Sequence, residues 1–240
     1  MRSLLTSMFV LLVLMVVATS CNVTNSVHFN RDYSGTYEMN VDLTGLLGMA
    51  MMFDSTATSE EDMLSEMRKG MEELGLSDKL GEMKGIDEVV AEMNEEGQLI
   101  WSFNFANVDA LNNSFQELNK SLMSGEMLDM DGVEINADAG EEATPVPSFV
   151  RSGKMISHRT DYDMGDMGMA EMAGGDEEGM MEMFSSMMDY TVEFSFDRKI
   201  KDVELTGMDL ISRDDKLVRA RLNLKSAMES KFYEIKVKLK

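Results

Sequence analysis

The last fifty residues contain four segments in which apolar and polar side chains alternate: Tyr190 to Phe196, Ile200 to Leu205, Leu217 to Leu224 and Phe232 to Leu239. A period of two is that of a β-strand with one face buried and the other wet. The links between these segments are too short for crossovers, so antiparallel pairing is expected, with Asp214-Asp215 marking a turn between two of them. The chain must therefore build a sheet whose apolar face something else covers.

The same signal opens the chain's body. Val27 and Phe29 alternate toward a turn at Asp32-Tyr33-Ser34-Gly35, and Tyr37, Met39, Val41 and Leu43 alternate away from it, which predicts a hairpin. Residues 59–76 switch to helical spacing, with Met63, Met67, Met71 and Leu74 on one stripe, Ser59 as N-cap and Gly75 at the end. Val89 to Met93 and Gln98 to Phe105 predict a second hairpin, with Leu99, Trp101, Phe103 and Phe105 on its buried side. Asn107 would then cap a helix from Val108 to about Met123. Phe149 to His158 reads as one strand, and a short helix is expected near Asp176 to Met188. The fold class is α+β: an antiparallel sheet of hairpins packed against a few helices, with an acidic, Met- and Gly-rich disordered insertion. Residues 27–240 form one domain, with flexible segments at about 124–148 and 161–179.

Location is written at the other end. Arg2 is followed by an apolar run from Leu4 to Val17, then by small residues Ala18, Thr19 and Ser20, and then by Cys21, the one cysteine of the chain. These are the three parts of an export signal, residues 1–20. A spanning helix needs ~20 apolar residues to cross ~30 Å of hydrocarbon, and this run is shorter. The segment resembles the signal of bacterial lipoproteins, in which a small residue precedes a cysteine that is acylated and becomes the mature N-terminus. The family usually has Leu three positions before that cysteine, where this chain has Ala18. The resemblance implies lipidation at Cys21, residues 21–26 as a lipidated tether, and the membrane as first partner through acyl chains. An ordinary cleaved secretory signal is the rival reading. Asn22 follows the cysteine, and no acid occurs from Asn22 to Phe29. Within the lipoprotein resemblance this implies the outer membrane and a periplasm-facing domain, with the cell surface as the other possible side.

Without residues 1–20 the chain carries 21 basic against 44 acidic side chains, a net charge near −23. Nucleic-acid binding needs a basic patch, and here the basic clusters are broken by acids, as in Asp197-Arg198-Lys199 and Lys201-Asp202, so no nucleic-acid partner is expected. The exception to the acid excess is the C-terminus, where Lys231, Lys236, Lys238 and Lys240 cluster and would suit anionic head groups.

Two short stretches carry a further resemblance, at the level of layout. Ser34-Gly35-Thr36 leaves the first hairpin turn, and Phe103-Asn104-Phe105-Ala106-Asn107-Val108-Asp109-Ala110-Leu111-Asn112 leads from a strand into a helix start. In this the chain resembles envelope lipoprotein domains of the LppM-like kind over about half of its mature length. The resemblance implies an envelope lipoprotein with lipid or glycolipid contact.

Methionine is abundant, 27 residues in all, nine of them from Met164 to Met188. Met fills irregular apolar gaps, and packing is the simplest reading of the helical stripe at 63–71. Met164, Met167, Met169 and Met172 also have the spacing of thioether sites for Cu(I), a soft ion that prefers sulfur, which makes a periplasmic copper-binding protein the alternative function. Asp129, Asp131 and Glu134 suggest a calcium loop, but the full twelve-residue ligand pattern is missing. His28 and His158 are 130 residues apart, and no nucleophile elbow, phosphate-binding glycine loop or His-Glu-x-x-His pattern occurs. The chain is therefore expected to be no enzyme and to need no cofactor. It reads as a lipid-anchored envelope protein making lipid or protein contacts.

Overall fold

The computed structural model describes residues 21–44, 64–65, 68–69, 75–94, 97–123, 148–161 and 188–240. Eleven strands are described: β1 (Cys21–Phe29), β2 (Gly35–Asp42), β3 (Ile86–Met93), β4 (Gln98–Phe105), β5 (Ser148–Ser152), β6 (Met155–Asp161), β7 (Met188–Phe196), β8 (Ile200–Thr206), β9 (Met208–Arg213), β10 (Leu217–Leu222) and β11 (Phe232–Leu239). Three helices accompany them: α1 (Leu76–Gly81), α2 (Val108–Met123) and α3 (Leu224–Ser230). The strands form a seven-stranded sheet in the order β3-β4-β2-β1-β7-β10-β9 and a four-stranded sheet in the order β5-β6-β11-β8. The class is the expected α+β.

Alternation decides which face of each strand is buried. Val27 and Phe29 of β1, Tyr37 of β2, Trp101, Phe103 and Phe105 of β4, and Val192, Phe194 and Phe196 of β7 all point to one side of the large sheet and are buried. The small sheet answers with Phe149, Ile156, Tyr233, Ile235, Val237 and Leu239. Phe29 stacks on Phe196 at 5.5 Å between ring centroids and meets Phe105 edge-on at 5.6 Å, while Phe149 lies 5.8 Å from Phe194. Aromatic pairs at such distances add to the stabilisation from burial alone.

Helix α2 covers the other half of the same face. Asn107 caps it as expected, its Oδ1 accepting the Ala110 N–H at 2.9 Å. Leu111, Phe115 and Leu118 turn inward, and Phe115 meets Tyr37 edge-on at 5.0 Å and stacks on Phe149 at 5.9 Å. Asn112 ties the helix to the small sheet, its side chain donating to Phe149 O and accepting the Phe149 N–H, both at 2.8 Å. The large sheet thus lies under two covers, a helix and a second sheet, with a seam between them.

Several expectations are corrected. β1 begins at Cys21, so residues 21–26 are sheet and not tether: Val23 and Asn25 continue the alternation of Val27 and Phe29 backward, and the segment finds a partner on each side. One of those partners, β7, is parallel to it, from Cys21 opposite Met188 to Phe29 opposite Phe196, although every other pairing is antiparallel as expected. The reason is that β1 and β7 are far apart in sequence, so no short turn dictates their direction. Phe149 to His158 is a hairpin, β5 and β6, broken at Gly153, whose φ of 60° allows the tight reversal. Asp214-Asp215 lies between β9 and β10, because β9 was not anticipated. The strand expected to reach Leu224 stops at Leu222, where Asn223 accepts the Ser226 N–H at 3.0 Å and opens α3. Gly75, expected to end the preceding helix, has φ 57° and opens α1, while residues 70–74 before it lie outside the described residues.

The helix predicted at 59–76 and the one at 176–188 fall mostly outside the described residues. The flexible segments expected at 124–148 and 161–179 do so too, except that Ser148 opens β5 and Asp161 closes β6. No helix among the described residues is long and apolar enough to cross a membrane.

Candidate ligand cavity between the sheets

At the seam between α2 and the small sheet the core is not filled. The register lines up two rows of side chains across the floor: Trp101, Met39, Asn25 and Val192, then Phe103, Tyr37, Val27 and Phe194. Phe115 and Leu118 of α2 and Phe149 and His158 of the small sheet form the roof. The partly open space they line is about 180 Å³. An apolar cavity of roughly 150 Å³ is enough to hold benzene, while drug-sized ligands occupy pockets of ~300 Å³ or more. This one suits a small ring or the terminal part of an acyl chain.

Asn25 is the polar member of the floor, and it anchors a chain of hydrogen bonds. The Tyr37 hydroxyl donates to Asn25 Oδ1 at 2.6 Å, and Asn25 Nδ2 donates to the Tyr190 hydroxyl at 2.6 Å. Tyr190 and Tyr233 hydroxyls lie 2.9 Å apart, and Tyr233 reaches His158 Nε2 at 3.3 Å. Either hydroxyl of the Tyr190–Tyr233 pair can donate, and Tyr233 and His158 Nε2 exchange donor and acceptor roles with the imidazole tautomer. Burial pushes the Tyr37 and Tyr190 hydroxyls above the usual phenol range.

His158 sits at the end of this chain, buried and stacked on Phe149 at 4.4 Å. Burial lowers its pKa to about 3, so the ring is neutral at physiological pH. A neutral imidazole carries one N–H, and the Tyr233 contact is compatible with either ring nitrogen bearing it. Nδ1 has no hydrogen-bond partner, and neither has Trp101 Nε1. Trp101 thus holds a buried, unpaired donor in the cavity wall, although buried polar groups are rarely left so. Among the described residues the wall includes no Asp, Glu, Lys or Arg.

The residues singled out from sequence distribute differently. Cys21 is the first residue of β1, at the end of the large sheet shared by the start of β7. Met164, Met167, Met169 and Met172 lie outside the described residues, as do Asp129, Asp131 and Glu134. Among the described residues no group of three or more His, Cys, Asp or Glu side chains could hold a metal. His28 is on the outer face as expected, its Nδ1 2.9 Å from Ser195 Oγ. The terminal lysines are not gathered: Lys231 precedes β11 and Lys240 follows it, while Lys236 pairs with Glu234 at 2.8 Å. In their place a shallow basic groove of Arg31, Arg198, Lys199, Lys216 and Lys240, with Asp197, forms at the end of the sheets remote from Cys21. It is an exposed surface, and its Lys199 is already paired with Asp215 at 2.5 Å.

Asn25, Tyr190, Tyr233 and His158 were missed as a set. The one available signal was Asn25 itself, a polar residue at an apolar position of the series Val23, Asn25, Val27, Phe29. Trp101 is the buried aromatic that alternation predicted, with an added role in the wall.

No family model matches the chain, and no curated protein matches it. Among solved structures it is similar to the folded domain of the Mycobacterium tuberculosis LppM protein, determined by NMR, with 12% identity and a TM-score of 0.35 over 91% of this chain and 89% of that one. A likeness of that size says nothing about the cavity or its contents.

Proposed function

We propose that this is a non-enzymatic envelope protein, lipid-anchored through Cys21 on the periplasmic side of the outer membrane, which holds part of an apolar molecule in the cavity between its sheets. The observation that carries the reading is the cavity of about 180 Å³ walled by Val27, Met39, Trp101, Phe115, Leu118 and Val192. Apolar contents would replace the contacts that a void forfeits. Location supports it as well. Asn25 and Val27 of the floor are four and six residues along β1 from Cys21. At ~3.3 Å per residue that is only ~13 to 20 Å. An anchor at Cys21 would keep the cavity close to the bilayer, and more than one acyl chain would hold it there firmly. The absence of acids between Asn22 and Phe29 supports the choice of membrane.

A catalytic role is disfavoured by the cavity's own chemistry. A general base works best with a pKa near the operating pH, and His158, at about 3, is far too weak a base. Filling the space tests the reading. Met39→Phe adds bulk to the floor, and lipid recovered with the full chain from its membrane is expected to fall several-fold against wild type while Cys21 acylation is unchanged. Equal recovery from a folded variant would count against the cavity as the holding site.

A further inference from the structure

We propose that the molecule held in this cavity is neutral and brings an oxygen acceptor, an ester or amide carbonyl being the fitting group, on an apolar body. The inference rests on the cavity reading above and specifies its ligand. Its basis is a buried donor in the wall, Trp101 Nε1–H, which has no partner. A hydrocarbon would leave it unpaired, and an unmade buried hydrogen bond costs more than a made one contributes. A carboxylate could accept from it too, but among the described residues it would enter a wall without Lys or Arg, beside an imidazole that stays neutral. A buried charge without a partner is strongly disfavoured. A neutral acceptor satisfies the donor without that penalty, and the apolar floor takes the rest of the molecule.

Trp101 is the only tryptophan of the chain, so it gives one indole N–H signal in NMR and the whole tryptophan fluorescence. The test titrates the purified full chain at pH 7 with three probes of similar size: methyl hexanoate, n-octane and hexanoate. Methyl hexanoate is expected to bind about tenfold more tightly than octane, with hexanoate weakest, and to move the Trp101 indole proton downfield as it becomes hydrogen-bonded. In Trp101→Phe, followed by ligand-observed NMR, the advantage of the ester over octane shrinks several-fold. Octane binding as tightly as the ester, or an ester that leaves the indole proton where it was, overturns the acceptor inference and leaves the cavity reading standing. If no probe perturbs Trp101 at all, the cavity reading falls, and this inference with it.

Discussion

Replacing His158 by Phe should make the protein less stable near neutral pH and more stable in mild acid. In the folded chain burial holds the His158 pKa at about 3, against 6.5 for an ordinary histidine. The unfolded chain therefore binds a proton as pH falls below 6.5 while the folded chain does not. Stability from this residue is complete above 6.5 and is lost progressively on acidification until about pH 3. At ~1.4 kcal/mol per pH unit in that window, wild type loses about 2 kcal/mol by pH 5 and about 5 kcal/mol below pH 3. Phe retains a ring to stack on Phe149 and to meet Phe194, whose centroid is 5.8 Å away, but it cannot accept from the Tyr233 hydroxyl. That loss costs about 1 kcal/mol. The variant should accordingly be about 1 kcal/mol less stable at pH 7, equal to wild type near pH 6, and about 1 kcal/mol more stable at pH 5. Urea unfolding of both proteins between pH 7 and 5 measures this, and the wild-type-minus-variant difference cancels the carboxylates common to both. Parallel stability curves, with no crossing, would refute the claim that His158 is buried and neutral.

Other perturbations follow from the same packing. A Cβ on Gly35 would lie 1.8 Å from the His28 carbonyl oxygen, so Gly35→Ala should destabilise by more than ~3 kcal/mol in denaturant unfolding, because backbone must move to make room. Phe194 is fully buried among Phe29, Phe149, Phe196 and His158, and Phe194→Ala should cost about 3 to 5 kcal/mol. Arg219 pairs with Glu193 across β10 and β7, but its side chain is 47% exposed, so Arg219→Ala should cost no more than ~1 kcal/mol, less in high salt.

Strand faces were legible because a period of two is a local property: the inward row of β4, the hairpin of β1 and β2, and the buried residues of β11 all follow from it. Helix α2 was legible through Asn107, whose side chain caps it. Pairing between segments remote in sequence was not. Nothing local says that β1 lies parallel to β7, and that pairing is what places Tyr190 within reach of Asn25. The cavity is a further step removed, since it depends on how the α2 and small-sheet covers meet over the large sheet. His158 alternates like its neighbours and gives no sign in sequence that it ends a hydrogen-bond chain begun at Tyr37.

Mass spectrometry of the chain purified from its own membrane, first under native and then under denaturing conditions, tests the central claim most directly. The account predicts a mature protein beginning at an acylated Cys21, with a neutral, oxygen-bearing apolar molecule that is retained natively and released on unfolding. A chain whose Cys21 carries no acyl group, and which loses no mass on denaturation, would contradict it.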